Sequence, residues 1–304
     1  MTLTIAIIGV GEVGAAAAYA LILNNVCAKL LLVDNRSSHL DGQVKDLSDS
    51  AFKEQNGTRI EAATYREASQ ADIVIFAAAA KRGIGETTLQ YRDRSAATLH
   101  NVIEAINPFK QNAILLVVSH PVDTLTTIAQ RLSHLPPTQV IGTGTFLESI
   151  RLRGLLANQF GVAASSVDAM VLGKHGESQF VPWHLVNVGG VSINELSPSD
   201  PIDRDKITQD CRRKGEQIIE EKGAIAYGIA SAVSTICTSI LLDRRQVYPV
   251  SYMQENLGCA LSMPAVLGRS GIESTLAVSL GSFDKQRLQY SASEIKKRVD
   301  SNIQ

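Results

Sequence analysis

Six residues near the start of the chain, Gly9-Val10-Gly11-Glu12-Val13-Gly14, restrict its fold more than any other stretch. They follow an unbroken apolar run, Thr4-Ile5-Ala6-Ile7-Ile8, which suits a strand buried on both faces of a parallel sheet. They open Ala15 to Leu23, an alanine-rich helix. A second buried run, Leu30-Leu31-Leu32-Val33, ends at Asp34, 20 residues beyond Gly14. Glycines at this spacing are a weak signal alone; a strand before, a helix after and an acid at that distance make it specific. Gly9 allows the tight turn, Gly11 lets the backbone approach a pyrophosphate, and Gly14 lets helix and strand pack closely. The N–H groups of Glu12 and Val13, at the helix N-terminus, face the phosphates. Asp34 can accept both ribose hydroxyls and repels a 2′-phosphate, which favours NAD over NADP. Arg36 nearby weakens that preference slightly.

The pattern continues along the first half. Asp41 to Phe52 reads as a polar-faced helix. Ile73 to Ala80 is a buried strand ending in small residues, where Ala78 and Ala79 leave room for a flat cofactor. Lys81 to Thr88, with Gly83 and Gly85, reads as a lid that excludes water. A helix from Gln90 to Ile106 ends at Pro108. Ala113 to Ser119 is another buried strand, followed by His120-Pro121-Val122-Asp123. A helix spans Thr124 to Ser133, and Val140-Ile141-Gly142 is a short strand. This alternation predicts an α/β fold with a Rossmann-type doubly wound parallel sheet. Ser119 and His120, at the end of their strand, join the cofactor-contacting candidates.

After Gly144 the texture changes. The sequence predicts a helix over Glu148 to Phe160 and a strand over Val167 to Leu172. Phe180 to Val188 and Val191 to Ile193 form a hairpin turning at Gly189-Gly190. Helices are expected at Ile202 to Glu221 and Tyr227 to Leu242. Antiparallel strands follow at Tyr248 to Leu257, Ala260 to Leu267 and Gly271-Ile272, and an amphipathic helix at Gln286 to Val299 closes the chain. Two domains follow: residues 1–142 bind the dinucleotide, and residues 143–304 form an α+β substrate domain. No repeat or flexible linker separates them, so the halves should share one continuous interface.

A hydrophobic share of 45% and a charged share of 19% are those of a soluble globular protein. A net charge of -1, with Lys and Arg dispersed, gives no footprint for nucleic acid or an anionic membrane. No apolar run reaches the ~20 residues of a membrane span. The N-terminus has no basic stretch of a signal peptide. Cys27, Cys211, Cys237 and Cys259 lack metal or disulfide spacing, so free thiols in a cytoplasmic setting are expected.

Two stretches carry the chemistry. In Thr143-Gly144-Thr145-Phe146-Leu147-Glu148-Ser149-Ile150-Arg151, a carboxylate and a guanidinium stand three residues apart. In Leu172-Gly173-Lys174-His175-Gly176-Glu177-Ser178, a histidine sits next to glycine in an apolar neighbourhood. The reading is that His175 gives and takes a proton, Glu148 orients it, and Arg151 grips a carboxylate. His39, His100, His134 and His184 have no partner identifiable from sequence, and Trp183 reads as core or interface. No His/Cys/Asp/Glu set has metal-ligand spacing.

These motifs, in this order, resemble the lactate/malate dehydrogenase family, including its L-2-hydroxyacid members. The resemblance covers almost the whole chain: GVGEVG with Asp34, Ser119 to Asp123, Gly142 to Thr145 leading to Arg151, LGKHGESQ at 172–179, and Lys222-Gly223-Ala224 with Tyr227-Gly228. It implies that His175 is the general acid/base and that Arg151 binds the substrate carboxylate. Several positions depart. The family's aspartate that holds the histidine is Glu148 here, one methylene longer; a carboxylate there should raise the histidine's pKa and fix its tautomer. The family's asparagine before Pro121 is His120, which can donate in its place to nicotinamide or substrate, or act as a second titrating group beside His175. The family's arginine after Gly-Glu-Thr, which polarises the substrate carbonyl, is absent from Gly85-Glu86-Thr87-Thr88. Arg82, Arg92 and Arg94 are nearby, with Arg92 preferred as its replacement. The position that separates lactate from malate aligns with Lys81. A pocket threonine is Ile225, which favours an apolar substrate side chain over a second carboxylate.

The resemblance therefore implies an NAD-dependent dehydrogenase moving a hydride between nicotinamide and a small 2-oxo/2-hydroxy acid. It also implies a homodimer or homotetramer. Two alternatives remain open: a repurposed member reducing a non-standard carbonyl or imine, and an inactive NAD-binding protein.

Overall fold

The apolar runs become the strands of one sheet because their backbones find partners on both sides. In the computed structural model, which describes residues 3–52, 57–79, 85, 87–196 and 201–302, Thr4–Ile8 (β1) lies between Lys29–Val33 (β2) and Ile73–Phe76 (β4), parallel to both. Arg59–Ala62 (β3) pairs with β2, Ile114–Val117 (β5) with β4, and Val140–Gly142 (β6) with β5, all parallel. The resulting order β3-β2-β1-β4-β5-β6 is that of a doubly wound dinucleotide-binding sheet. Its connections include the helices Glu12–Leu23 (α1), Ser37–Ala51 (α2), Tyr65–Ala68 (α3), Thr88–Ile106 (α4) and Val122–Ser133 (α5).

The sheet does not stop at β6. Gln246–Gln254 (β10) lies against it antiparallel through Ser251 and Gly142, and Cys259–Gly268 (β11) and Gly271–Thr275 (β12) extend it to nine strands. The expected shared interface is thus a common sheet. Between β6 and β10 the chain forms the helix Phe146–Phe160 (α6) and a small three-stranded sheet of Val167–Asp168 (β7), Asn187–Val188 (β8) and Val191–Ser192 (β9). Two further helices, Arg204–Lys222 (α7) and Ala226–Leu241 (α8), follow, and Ser282–Asn302 (α9) comes last. Helix α8 packs on α1, where the Asn24 amide donates to Ser234 Oγ at 2.9 Å. Helices α4, α5 and α9 cover the opposite face.

Some expected elements change extent, for local reasons. Helix α2 starts at Ser37, ahead of the expected Asp41, and buries Leu40. Of the strand expected over 73–80, Ile73–Phe76 form the ladder and Ala77 to Ala79 lie beyond it, while Ala80 lies outside the described residues. Of the strand expected over 167–172, only Val167 and Asp168 pair; Leu172 bridges to Phe180 instead. The hairpin at Gly189-Gly190 is present, with both glycines at positive φ, but its first strand is short. Pro182 lacks a ladder donor, and Trp183–Leu185 turn as a 3₁₀ helix. β3 was not expected. It is an edge strand in which only Ile60 is buried, so its sequence lacks the apolar run of a central strand.

Candidate active site

The three glycines of the opening motif do three different things. Gly9 has φ +90°, and a Cβ there would fall on the backbone of Ala78, at the end of the neighbouring strand β4. A Cβ on Gly14 would fall on the carbonyl oxygen of Gly9, so the glycine lets α1 close against the strand end. Nothing lies within 4 Å of the Cβ position of Gly11, so its face is open to a ligand. Glu12 and Val13 open α1 beside it. Ser119 Oγ donates to the Ala78 carbonyl at 2.8 Å and ties the ends of β4 and β5 together. Ala78 is half-buried and Ala79 exposed at the rim of this crevice. The crevice lies between β1 and β4, where the winding of the sheet reverses and dinucleotides bind. An open glycine face at a helix N-terminus, an acid at the end of β2 and small residues at the end of β4 suit NAD.

Asp34 is more engaged than the sequence implies. Its Oδ2 accepts the Val10 N–H at 3.0 Å and Arg36 Nη2 at 3.1 Å; its Oδ1 accepts the Arg36 backbone N–H at 3.0 Å and Arg36 Nε at 2.9 Å. Burial pushes its pKa up, but these donors outweigh it and hold the carboxyl at about 2.

The proton-transfer candidates meet at the N-terminus of α6. Glu148 is 3% exposed and lies between Arg151 and His175: Arg151 Nη1 donates to Oε1 at 3.1 Å, and His175 Nδ1 faces Oε2 at 3.4 Å. Glu148 and Arg151 share a helix face because they stand three residues apart. His175 comes from the turn after Leu172, and that turn is fixed from several sides. Gly173 exchanges both backbone hydrogen bonds with Ser262 of β11, and Leu172 does so with Phe180. Ser149 Oγ accepts the Val171 N–H at 2.8 Å, and Thr145 Oγ1 donates to the Val171 carbonyl. Ser262 Oγ accepts the Thr145 N–H at 3.0 Å. The α6 N-terminus and the histidine turn are therefore mounted on one strand. Burial lowers the pKa of His175, but the Glu148 charge beside it, with Asp123 beyond, outweighs that and raises it. Burial raises Glu148, and His175 and Arg151 overcome that to hold it down. The His175 side chain remains 32% exposed, so the pair is buried on one side only.

His120 stands edge-on to His175, with ring centroids 5.7 Å apart. His120 as a residue is exposed. The crowding protein around it, then the positive charges of His175, Arg92, Lys174 and Arg298, push its pKa down. Arg92 is half-buried on α4 and faces Pro121, Thr124, Leu125 and Arg298 around a small cavity. Its Nε is buried without a hydrogen bond. Lys81, Arg82, Gly83 and Glu86, which carry the lid expectations, lie outside the described residues.

Two residues had no role assigned from sequence. Asp123 is 3% exposed, and its Oδ2 accepts the His175 backbone N–H at 2.7 Å. Gly215 of α7 leaves a gap filled by the site: its Cβ position lies 3.3 Å from Arg151 Nη1 and 3.4 Å from Ile225 Cδ1. A glycine inside a helix was the available signal, since it is unfavourable there unless packing needs it. From the same helix, Cys211 Sγ donates to the Glu148 carbonyl at 3.1 Å. All four cysteines are free and buried. Three of the histidines without an expected partner have one: His39 Nε2 is 3.0 Å from the Val10 carbonyl, His184 Nε2 2.9 Å from the Ser279 carbonyl, and His100 Nδ1 3.9 Å from Glu104. Trp183 is half-buried against the core beneath the small sheet, with the Arg204 guanidinium 5.5 Å from its ring.

Residues 3–142 match the family model of the lactate/malate dehydrogenase NAD-binding domain, and residues 145–304 match the α/β C-terminal domain of the same enzymes. The chain belongs to the lactate/malate dehydrogenase family. It is 39% identical over 292 residues to L-lactate dehydrogenase A of Rhizopus oryzae, covering 96% of this chain and 91% of that one. It is 38% identical to the L-lactate dehydrogenase of Synechococcus sp. (strain JA-3-3Ab), covering 97% and 98%. Among solved structures, a lactate dehydrogenase from a Medee basin deep-sea metagenome library superposes with a TM-score of 0.94 at 28% identity, covering 99% of each chain. The minor L-lactate dehydrogenase of Enterococcus mundtii superposes with a TM-score of 0.93 at 29% identity, covering 99% of this chain and 98% of that one. This family member is thus an NAD-dependent oxidoreductase acting on a CH–OH group. It moves a hydride between nicotinamide and a small 2-oxo/2-hydroxy acid. No described helix is long and apolar enough to cross a membrane. Among the described residues, no group of three His, Cys, Asp or Glu side chains is placed to hold a metal.

Proposed function

We propose that the chain interconverts an L-2-hydroxy acid bearing a small apolar side chain, of which lactate is the simplest, with its 2-oxo acid. The observation that carries this reading is the shared carboxylate. Glu148 accepts a hydrogen bond from Arg151 on one oxygen and faces His175 Nδ1 at 3.4 Å with the other, which supports a proton donor and an acid anchor set in one frame. Arg151 grips the substrate carboxylate as a fork, and this sets the face of the reacting carbon that meets the cofactor. NAD, when bound, supplies or accepts the hydride. His175 gives its proton to the substrate oxygen during reduction and takes it back during oxidation. With Nδ1 turned to Glu148, Nε2 is the nitrogen left for that oxygen. The charge of Glu148 stabilises the imidazolium that the oxidation creates. His120, neutral at physiological pH, donates a hydrogen bond at the edge of the same crevice, and Arg92 contributes positive charge behind it. Ile225 beside Arg151 supports an apolar substrate wall, and the names of the relatives agree with it.

In this reading residues 1–142 bind the cofactor through Gly9, Gly11, Glu12, Val13, Gly14, Asp34, Ala78, Ala79, Ser119 and His120, and residues 143–304 carry the substrate chemistry. The protein works as a homodimer or homotetramer in the cytoplasm. Large apolar side chains exposed on α1 (Leu23), on α8 (Tyr227) and just after α8 (Leu242) support self-association, and four free thiols support a reducing compartment.

The test is a panel of 2-oxo acids with NADH, followed by absorbance of the reduced cofactor. The reading expects pyruvate or branched 2-oxo acids to be reduced with higher kcat/KM than oxaloacetate. Tight NADH binding with none of these acids reduced would overturn it and favour a different carbonyl or imine.

A further inference from the structure

The carboxylate at the end of β2 is already filled. A carboxylate offers about four lone-pair positions. On Asp34, all four go to donors of this chain: the backbone N–H groups of Val10 and Arg36, and Nε and Nη2 of Arg36. The Asp34 side chain is only 5% exposed, whereas that of Arg36, which covers it, is 55% exposed. An acid that selects against a 2′-phosphate does so through a free negative charge and open acceptors for the ribose hydroxyls. Here the charge is neutralised by a paired guanidinium, and the open group at that position is the cation. Arg36 has five N–H donors and spends two of them on Asp34. The side chains that follow, Ser37 and Ser38, are exposed and uncharged, and the first turn of α2 carries no acid to repel an anion.

We propose that Arg36 makes this enzyme accept both NAD(H) and NADP(H), by offering a guanidinium to the adenosine 2′-phosphate. With NAD(H), the exposed side chain swings aside and releases Asp34 to the ribose hydroxyls. The ribose hydroxyls then take the acceptor positions that the guanidinium leaves, so the buried carboxylate keeps its hydrogen bonds. With NADP(H), Arg36 keeps its neutralising place beside Asp34 and turns its remaining N–H groups to the phosphate, as a charge-assisted fork. The inference rests on the NAD-dehydrogenase reading and extends it to the choice of cofactor.

The experiment measures equilibrium dissociation constants for NADH and NADPH by fluorescence, without substrate, on the wild-type protein and on Arg36→Gln. The wild type should bind NADPH within about tenfold of NADH, and Arg36→Gln should raise the ratio of the NADPH to the NADH constant by about tenfold or more. NADH binding with NADPH excluded from the wild type, or a ratio unmoved by Arg36→Gln, overturns the inference and leaves the dehydrogenase reading intact. Failure of NADH itself to bind the wild type overturns both.

Discussion

At the scale of the residue, one buried acid serves both a guanidinium and an imidazole. Because Glu148 raises the pKa of His175, the imidazole stays protonated to higher pH than an ordinary histidine. Reduction of a 2-oxo acid needs that proton, so kcat/KM for reduction should be level at low pH and fall as pH rises through the raised pKa; oxidation should show the mirror profile. Glu148→Gln removes the anion, and the falling limb of the reduction profile should move to lower pH. A pH–rate series on the two proteins checks this, and an unmoved limb would detach Glu148 from His175. Arg151→Met should raise KM for the 2-oxo acid about 10–100-fold, the loss of a charge-assisted contact, with NADH affinity kept. An unchanged KM would mean that the acid end of the substrate is held elsewhere. Glu148, Arg151 and His175 were legible because each sits in a contiguous motif whose chemistry is local. The partners of His39 and His184 were not, because they are backbone carbonyls of Val10 and Ser279, which leave no mark in composition. The Asp34–Arg36 fork was half legible: proximity in sequence gave the pair, but not its two-point geometry.

At the scale of the element, precision comes from mounting two pieces on a third. The α6 N-terminus and the turn carrying His175 both hang on Ser262 of β11. Helix α7 then closes over Arg151 through Gly215, where any side chain would press on the guanidinium. Gly215→Ala should separate stability from function. Alanine favours a helix interior by about 0.8–1 kcal/mol over glycine, so the thermal midpoint should hold or rise. The new methyl should nevertheless displace Arg151 and raise KM for the acid several-fold. A raised midpoint with an unaltered KM would remove α7 from the anchor. The hairpin at Gly189-Gly190 was readable because its glycines take positive φ in the turn. The strand expected before it failed at Pro182, and β3 escaped notice because an edge strand buries one side chain rather than an apolar run.

At the scale of the whole molecule, the cofactor half and the substrate half are one sheet. β10 pairs with β6, and α8 lies on α1, so neither half keeps a complete core when parted from the other. Denaturant unfolding should therefore give coincident transitions by circular dichroism and by Trp183 fluorescence, and two separated transitions would contradict the shared core. The reason for such a union is chemical. In the proposed reading the nucleotide crevice ends at His120, whose ring stands 5.7 Å from that of His175, and both halves must keep their places while a hydride crosses. The most direct test of that arrangement is a single-turnover measurement of NADH oxidation by a 2-oxo acid that the wild type reduces, made on wild type and His175→Ala, with NADH affinity measured alongside. The account predicts unchanged NADH affinity and a hydride step slowed by about 10²–10⁴-fold. A His175→Ala protein that oxidises NADH at the wild-type rate would contradict it.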